Sequence, residues 1–128
     1  MMSWVGTTFE VVVARRDKLC LVHVKGELDL ANARGFGERL ADLSDETVVV
    51  DLSDLSFIDS SGFSALISAK NRATDLGHEF VLTRPQRGVE KLFGVVGLRG
   101  LIEPWKPEWE GLSRRGEDNA ANAAPEAS

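Results

Sequence analysis

The side chains best placed to do chemistry in this 128-residue chain lie in one stretch, Asp51-Leu-Ser-Asp-Leu-Ser-Phe-Ile-Asp-Ser-Ser-Gly62. It runs out of a strongly apolar segment and into a region of helical periodicity, with Ser60 and Ser61 at the junction. A serine hydroxyl at a strand-to-helix turn can cap the helix by accepting a hydrogen bond from a free amide of the first turn. Exposed on a loop, the same hydroxyl can be presented to a kinase, and a phosphate there adds roughly −1.5 to −2 charges at neutral pH. Ser60 therefore reads as a phosphoswitch rather than a catalytic nucleophile.

Catalysis needs a convergent set of groups, and the rest of the chain does not supply one. The only histidines are His23, on a strand face shared with Lys25, and His78, directly after a glycine that ends a helix. Each reads as a solvated or half-buried structural residue. There is no Gly-x-Ser-x-Gly, His-Glu-x-x-His or Gly-x-x-x-x-Gly-Lys-Ser/Thr sequence. Gly94, Gly97 and Gly100 follow a helix rather than a strand, the wrong context for a dinucleotide turn. Glu27, Asp29, Asp51, Asp54 and Asp59 fall at or near strand ends, where carboxylates could hold a divalent cation. They lack the ordered ligand spacing of a calcium loop. Asp54 and Asp59 suit turns and caps, through side-chain bonds to nearby amides. The lone Cys20 excludes an internal disulfide, and its alternation with Val22 and Val24 points to burial rather than redox chemistry.

The elements that must position the serines follow from periodicity. Phe9 to Ala14 and Leu19 to Lys25 are β-type runs joined by the polar turn Arg15-Arg16-Asp17-Lys18. Phe9, Val11 and Val13 should face one way, with Glu10 and Val12 opposite. Ala33, Phe36, Leu40 and Leu43 recur at helical spacing, which predicts a helix over about Leu30 to Leu43, softened by Gly35 and Gly37. Thr47 to Leu52 reads as a central strand covered on both faces. A second helix should run from about Ser61 to Leu76, ending at Gly77. Glu79 to Thr83 is a further strand, Pro85 opens a third helix, and Leu101-Ile102 forms a last edge strand. The class is α/β, with a mixed, largely parallel sheet of four to five strands covered by three to four helices. Trp105 and Trp109 suit either a partner anchor or packing of the C-terminal segment onto the domain. The division is a 1–8 extension, a domain over 9–112 and a disordered Ala-rich tail over 113–128, which has no aliphatic side chain larger than alanine.

Composition narrows the partners. A formal charge of −5 with no Lys/Arg block disfavours nucleic acid or an anionic membrane surface. No apolar run approaches the ~20 residues of a membrane helix, and the N-terminus lacks the pattern of a secretion signal. The cytoplasm is the expected compartment.

Gly26-Glu27-Leu28-Asp29, then Asp51 through Asp59-Ser60-Ser61-Gly62, then Val89-Glu-Lys-Leu-Phe93 before a glycine-rich turn, together resemble the STAS domain of anti-sigma factor antagonists, over about residues 9 to 103. The resemblance implies a small bacterial regulator that binds an anti-sigma factor, frees the sigma factor and is inactivated by that partner's serine kinase activity. By position, Ser60 is the implied phosphoacceptor, with Ser61 the alternative. Asp29, Glu27, Asp59, Ser60, Ser61 and Gly62 are the implied partner-binding residues. The chain needs no cofactor of its own on this reading: ATP and Mg²⁺ belong to the kinase, a phosphoserine phosphatase resets the switch, and the protein is a monomer or weak dimer. A competing reading is a STAS subunit that is not phosphorylated and docks on the ATPase of an ABC-type membrane transporter. Direct nucleotide binding is disfavoured by the missing phosphate loop.

Overall fold

Alternating apolar side chains build the first half of the molecule as strands, and the computed structural model describes residues 2–5 and 9–113. Six strands form one sheet: β1 (Met2–Val5), β2 (Phe9–Arg16), β3 (Leu19–Leu28), β4 (Thr47–Ile58), β5 (Glu79–Thr83) and β6 (Ile102–Glu103), in that spatial order. β1, β2 and β3 run antiparallel, whereas β3 to β6 are parallel. The class is as expected, with one strand more, because Met2–Val5 of the 1–8 extension pair with β2. The β2–β3 turn is tighter than the four-residue one expected: Arg16 pairs with Leu19, and Asp17 takes the left-handed φ of 57° that so short a connection requires.

Three helices, α1 (Ala33–Ala41), α2 (Ser60–Asp75) and α3 (Arg87–Val95), share one face of the sheet. Phe36 and Leu40 of α1, Phe63, Leu66 and Ala69 of α2, and Val89 and Phe93 of α3 pack on Phe9, Val11, Val22, Val24, Val50 and Leu82. Edge-to-face ring pairs, Phe9 with Phe36 and Phe63 with Phe93, tie helices to sheet and to each other. Cys20 lies in this core, and its thiol pKa is pushed up to about 12 by burial, with the Asp45 charge adding and Arg15 opposing. It is an inert packing residue.

The opposite face has no helix from the crossovers. Ala14, Leu21, Val49 and Val81 are covered there by Trp109 and Leu112 of the C-terminal segment, with Trp105 beside them. The tryptophans thus pack the segment onto the domain, one of the two uses their sequence suggested. Ser113, assigned to the tail, is buried; the remainder of the expected tail, 114–128, lies outside the described residues.

α1 is shorter than its periodicity predicts, because 29–32 are held in a separate turn: the Asn32 and Ala33 amides donate to the Asp29 carbonyl at 3.1 and 2.8 Å. Within α1, a Cβ at Gly37 would meet Ala65 Cβ at 3.7 Å, an ordinary contact. Gly37→Ala is therefore expected to stabilise the fold by about 0.5–1 kcal/mol through helix propensity, read as a higher urea midpoint.

Candidate functional site

Parallel pairing of β3 and β4 sets their C-terminal ends side by side, Leu28 against Ile58, so the residues that follow them meet. The Asp59 amide donates to the Leu28 carbonyl at 3.2 Å. Its carboxylate then spans two loops: Oδ1 accepts from the Gly62 amide at 3.1 Å and Oδ2 from the Leu30 amide at 3.2 Å. Asp59 is thus the N-cap of α2, and the alternative reading of the serines as caps is corrected. The physical reason is backbone conformation. A cap residue stands in extended backbone just outside the helix, with its side chain turned to an amide two or three residues on; Asp59 is extended and bonds Gly62, whereas Ser60 and Ser61 are already helical.

This cap leaves Ser60 at the first helical position, exposed, with its hydroxyl free of hydrogen bonds among the described residues; Ser61 is half-buried. Across the site, Asp29 Oδ1 accepts from the Ala31 amide at 3.0 Å. Asn32 clamps the same turn, accepting from the Asp29 amide at 3.0 Å and donating to the Glu27 carbonyl at 2.9 Å. Glu27 is exposed, paired in register with Phe57. Glu27, Asp29, Asp59, Ser60, Ser61 and Gly62 therefore gather at one end of the sheet. Leu30, 78% exposed, and Phe57, 43% exposed, add apolar surface there. An open groove of about 500 Å³ between α1 and α2 begins at Leu30 and Ser61 and continues past Gly37 and Ala65.

Gly62 is the steric pivot of the loop. A Cβ there would lie 2.7 Å from Ile58 Cγ1 and 2.9 Å from both Leu28 Cγ and the Leu28 carbonyl oxygen, which is backbone and has little room to yield. Gly62→Ala is expected to destabilise by about 1–3 kcal/mol, seen as a lower urea midpoint.

A second polar cluster was not visible in the sequence. On the helix-free face, buried Asp51 accepts from Arg84 through Nη2 at 2.7 Å and Nε at 3.3 Å, and from the Ser53 amide at 3.1 Å. His23 stands between two carboxylates, with Nδ1 3.1 Å from Asp51 Oδ2 and Nε2 2.8 Å from Asp54 Oδ2. Burial alone would raise the Asp51 pKa, yet the bonds from His23, Arg84 and Ser53 hold it well below the usual carboxylate range. The bond to Asp51 raises the His23 pKa; burial opposes this and Asp54 reinforces it. Arg84 also lies over the Trp105 ring, 3.6 Å from its centroid, and the Trp105 indole donates to Glu110 at 3.1 Å. The one sequence signal was a charged residue, Asp51, within a continuously apolar strand.

Among the described residues no group of three or more His, Cys, Asp or Glu is arranged to hold a metal, and no helix is long and apolar enough to cross a membrane. What the first site offers is an accessible hydroxyl at a helix N-terminus, flanked by carboxylates and apolar side chains. That combination, on a β-hairpin followed by β-α repeats, defines the class. The STAS domain family model matches residues 10–110, and the chain belongs to this family. Solved structures similar to it include three anti-sigma antagonist or cell-fate proteins. The anti-sigma factor antagonist SpoIIAA in its unphosphorylated form is 20% identical, with a TM-score of 0.67 over 83% of this chain and 96% of that one. The Bacillus cell fate determinant SpoIIAA in the phosphorylated form is 19% identical, with a TM-score of 0.63 over 81% of this chain and 97% of that one. An anti-sigma factor antagonist from Mycobacterium paratuberculosis is 19% identical, with a TM-score of 0.69 over 87% of this chain and 96% of that one. At these identities the likeness is one of fold.

Proposed function

We propose that this STAS domain is an anti-sigma factor antagonist that binds a serine-kinase anti-sigma factor and is switched off by phosphorylation of Ser60. The observation that carries the reading is the state of the Ser60 hydroxyl: exposed, without a hydrogen bond among the described residues, and relieved of capping duty by Asp59. The phosphorylated form of a protein with this fold supports it. Asp29, Glu27 and Asp59 give the partner surface its negative charge, Ser61 and Gly62 complete the loop, and exposed Leu30 and Phe57 give it apolar contact. The chain itself is not an enzyme on this reading. ATP and Mg²⁺ come with the kinase, a phosphoserine phosphatase restores the active form, and the exchange takes place in a bacterial cytoplasm. The free Ser60 hydroxyl favours this reading over a transporter subunit that is not phosphorylated.

Ser60→Ala tests it. Because the hydroxyl makes no bond among the described residues, stability should change by less than about 0.5 kcal/mol, while labelling by the cognate kinase, followed by intact mass and site mapping, should vanish. Full labelling of the variant would move the acceptor to Ser61.

A further inference from the structure

Strand β4 does not keep step with β3 on its way to the Ser60 loop. His23 pairs with Asp51 but Lys25 with Asp54, and Gly26 pairs with Leu55 but Glu27 with Phe57, so β4 carries one extra residue in each interval. These are two successive bulges, devices that redirect a strand end. Side chains bond at both. At the first, Asp51 Oδ1 accepts the Ser53 amide and the Gln86 side chain donates to the Ser53 carbonyl at 2.9 Å. At the second, the Ser56 hydroxyl donates to the Gly26 carbonyl at 3.1 Å. Beyond them β4 ends at buried Ile58, the side chain on which Gly62 and the first turn of α2 rest.

His23 grips both sides of the first bulge, Asp51 before it and Asp54 after it. Both partners are carboxylates, so both ring nitrogens must carry hydrogen, which only the imidazolium provides. The neutral ring can donate to one carboxylate and turns a lone pair toward the other. Asp51 is also held by Arg84, whereas Asp54 has a half-exposed side chain, so Asp54 is the partner released.

We propose that His23 is a positioning residue for Ser60: by clamping Asp51 to Asp54 it fixes the first bulge of β4, and through it the seat of the Ser60 loop on Ile58. The charged groups facing the ring are Asp51 and Asp54 from β4, with Arg84 after β5 bonded to Asp51; Lys25 lies two residues along its own strand with Glu10 opposite it on β2, and Glu110 of the C-terminal segment bonds Trp105, the ring that Arg84 covers. The first two contact the ring directly. The inference deepens the reading of Ser60 as phosphoacceptor, but its geometry belongs to the chain alone.

The experiment uses the full chain without a kinase, so its failure and that of the phosphoacceptor reading are separable. The His23 ring carbons and the amides of Leu30, Ser60, Ser61 and Gly62 are followed by NMR from pH 5 to 9, with His78→Gln assigning the ring signals. The loop amides are expected to shift with the midpoint of the His23 ring. In His23→Gln that titration should disappear, and the Gly62 amide should exchange roughly tenfold faster, the worth of one charge-assisted hydrogen bond. Asp54→Asn, at a half-exposed site that the fold tolerates, should lower the ring and loop midpoints together. A ring that titrates while the loop amides stay fixed overturns the proposal, as does a loop titration that persists in His23→Gln or a ring midpoint that moves without the loop in Asp54→Asn.

Discussion

A phosphate on Ser60 is expected to leave the fold intact and to weaken binding of the anti-sigma partner by at least about 30-fold. Two magnitudes decide this. Ser60 is the first residue of the 16-residue helix α2, and negative charge at a helix N-terminus stabilises by about 0.3–1 kcal/mol. Among the described residues the hydroxyl makes no bond that a phosphate would break, and the Asp59 cap to Gly62 does not pass through it. Unfolding is therefore the wrong switch. At the partner surface the balance reverses, because a dianion joins Asp29 and Asp59, and charge mismatches at an interface cost on the order of 2–5 kcal/mol. At 1.4 kcal/mol per tenfold, the low end of that range is about 30-fold. Phosphoserine encoded at position 60 makes the species without a kinase. Its melting temperature should stay within a few degrees of the unmodified protein, and calorimetry with the partner should show the lost affinity. Large-scale unfolding, or equal affinity for both forms, would refute the mechanism.

Asp51→Asn is expected to cost about 3 kcal/mol of stability, because it removes the anion that His23 and Arg84 share. The value sits at the low end of the usual 3–5 kcal/mol for a broken buried pair, since the Arg84 side chain is 34% exposed and keeps some water. The pH dependence has a definite sign. Asp51 has a lowered folded pKa, so its contribution is present above its ordinary value of 3.8 and is lost as pH falls through the folded pKa. His23 has a raised folded pKa, so its contribution is full below its ordinary value of 6.5 and is lost as pH rises through the folded pKa. Urea midpoints of the wild type should hence be highest from this pair between those two values and decline on either side. Asp51→Asn should flatten both flanks. A wild-type midpoint that rises with pH above 6.5 would contradict the assignment of His23.

The sequence by itself determined whatever depends on periods of two or 3.6 residues and on short-range turn chemistry. The strand runs from Phe9 to Ala14 and Glu79 to Thr83, the apolar stripe Phe63, Leu66 and Ala69 of α2, the burial of Cys20 and the α/β class were all legible, because each is set by neighbours on the same element. The loop holding Ser60 was legible for the same reason, as the place where one period gives way to the other. The cap was only half legible: both serines and Asp59 have capping side chains, and which one caps depends on the backbone angles at the junction, extended at Asp59. Tertiary structure alone decided the rest. Met2–Val5 became a strand because β2 offered an edge. β4 ran past Leu52 to Ile58 because two bulges kept it paired with β3. The His23, Asp51 and Arg84 cluster joins residues 28 and 33 positions apart, and Trp105 reaches Arg84 only once the C-terminal segment has folded back over the sheet. The energy of such a cluster exists only after the sheet has excluded water from Asp51, so a lone aspartate in an apolar strand marks the place but no local pattern of residues announces its partners.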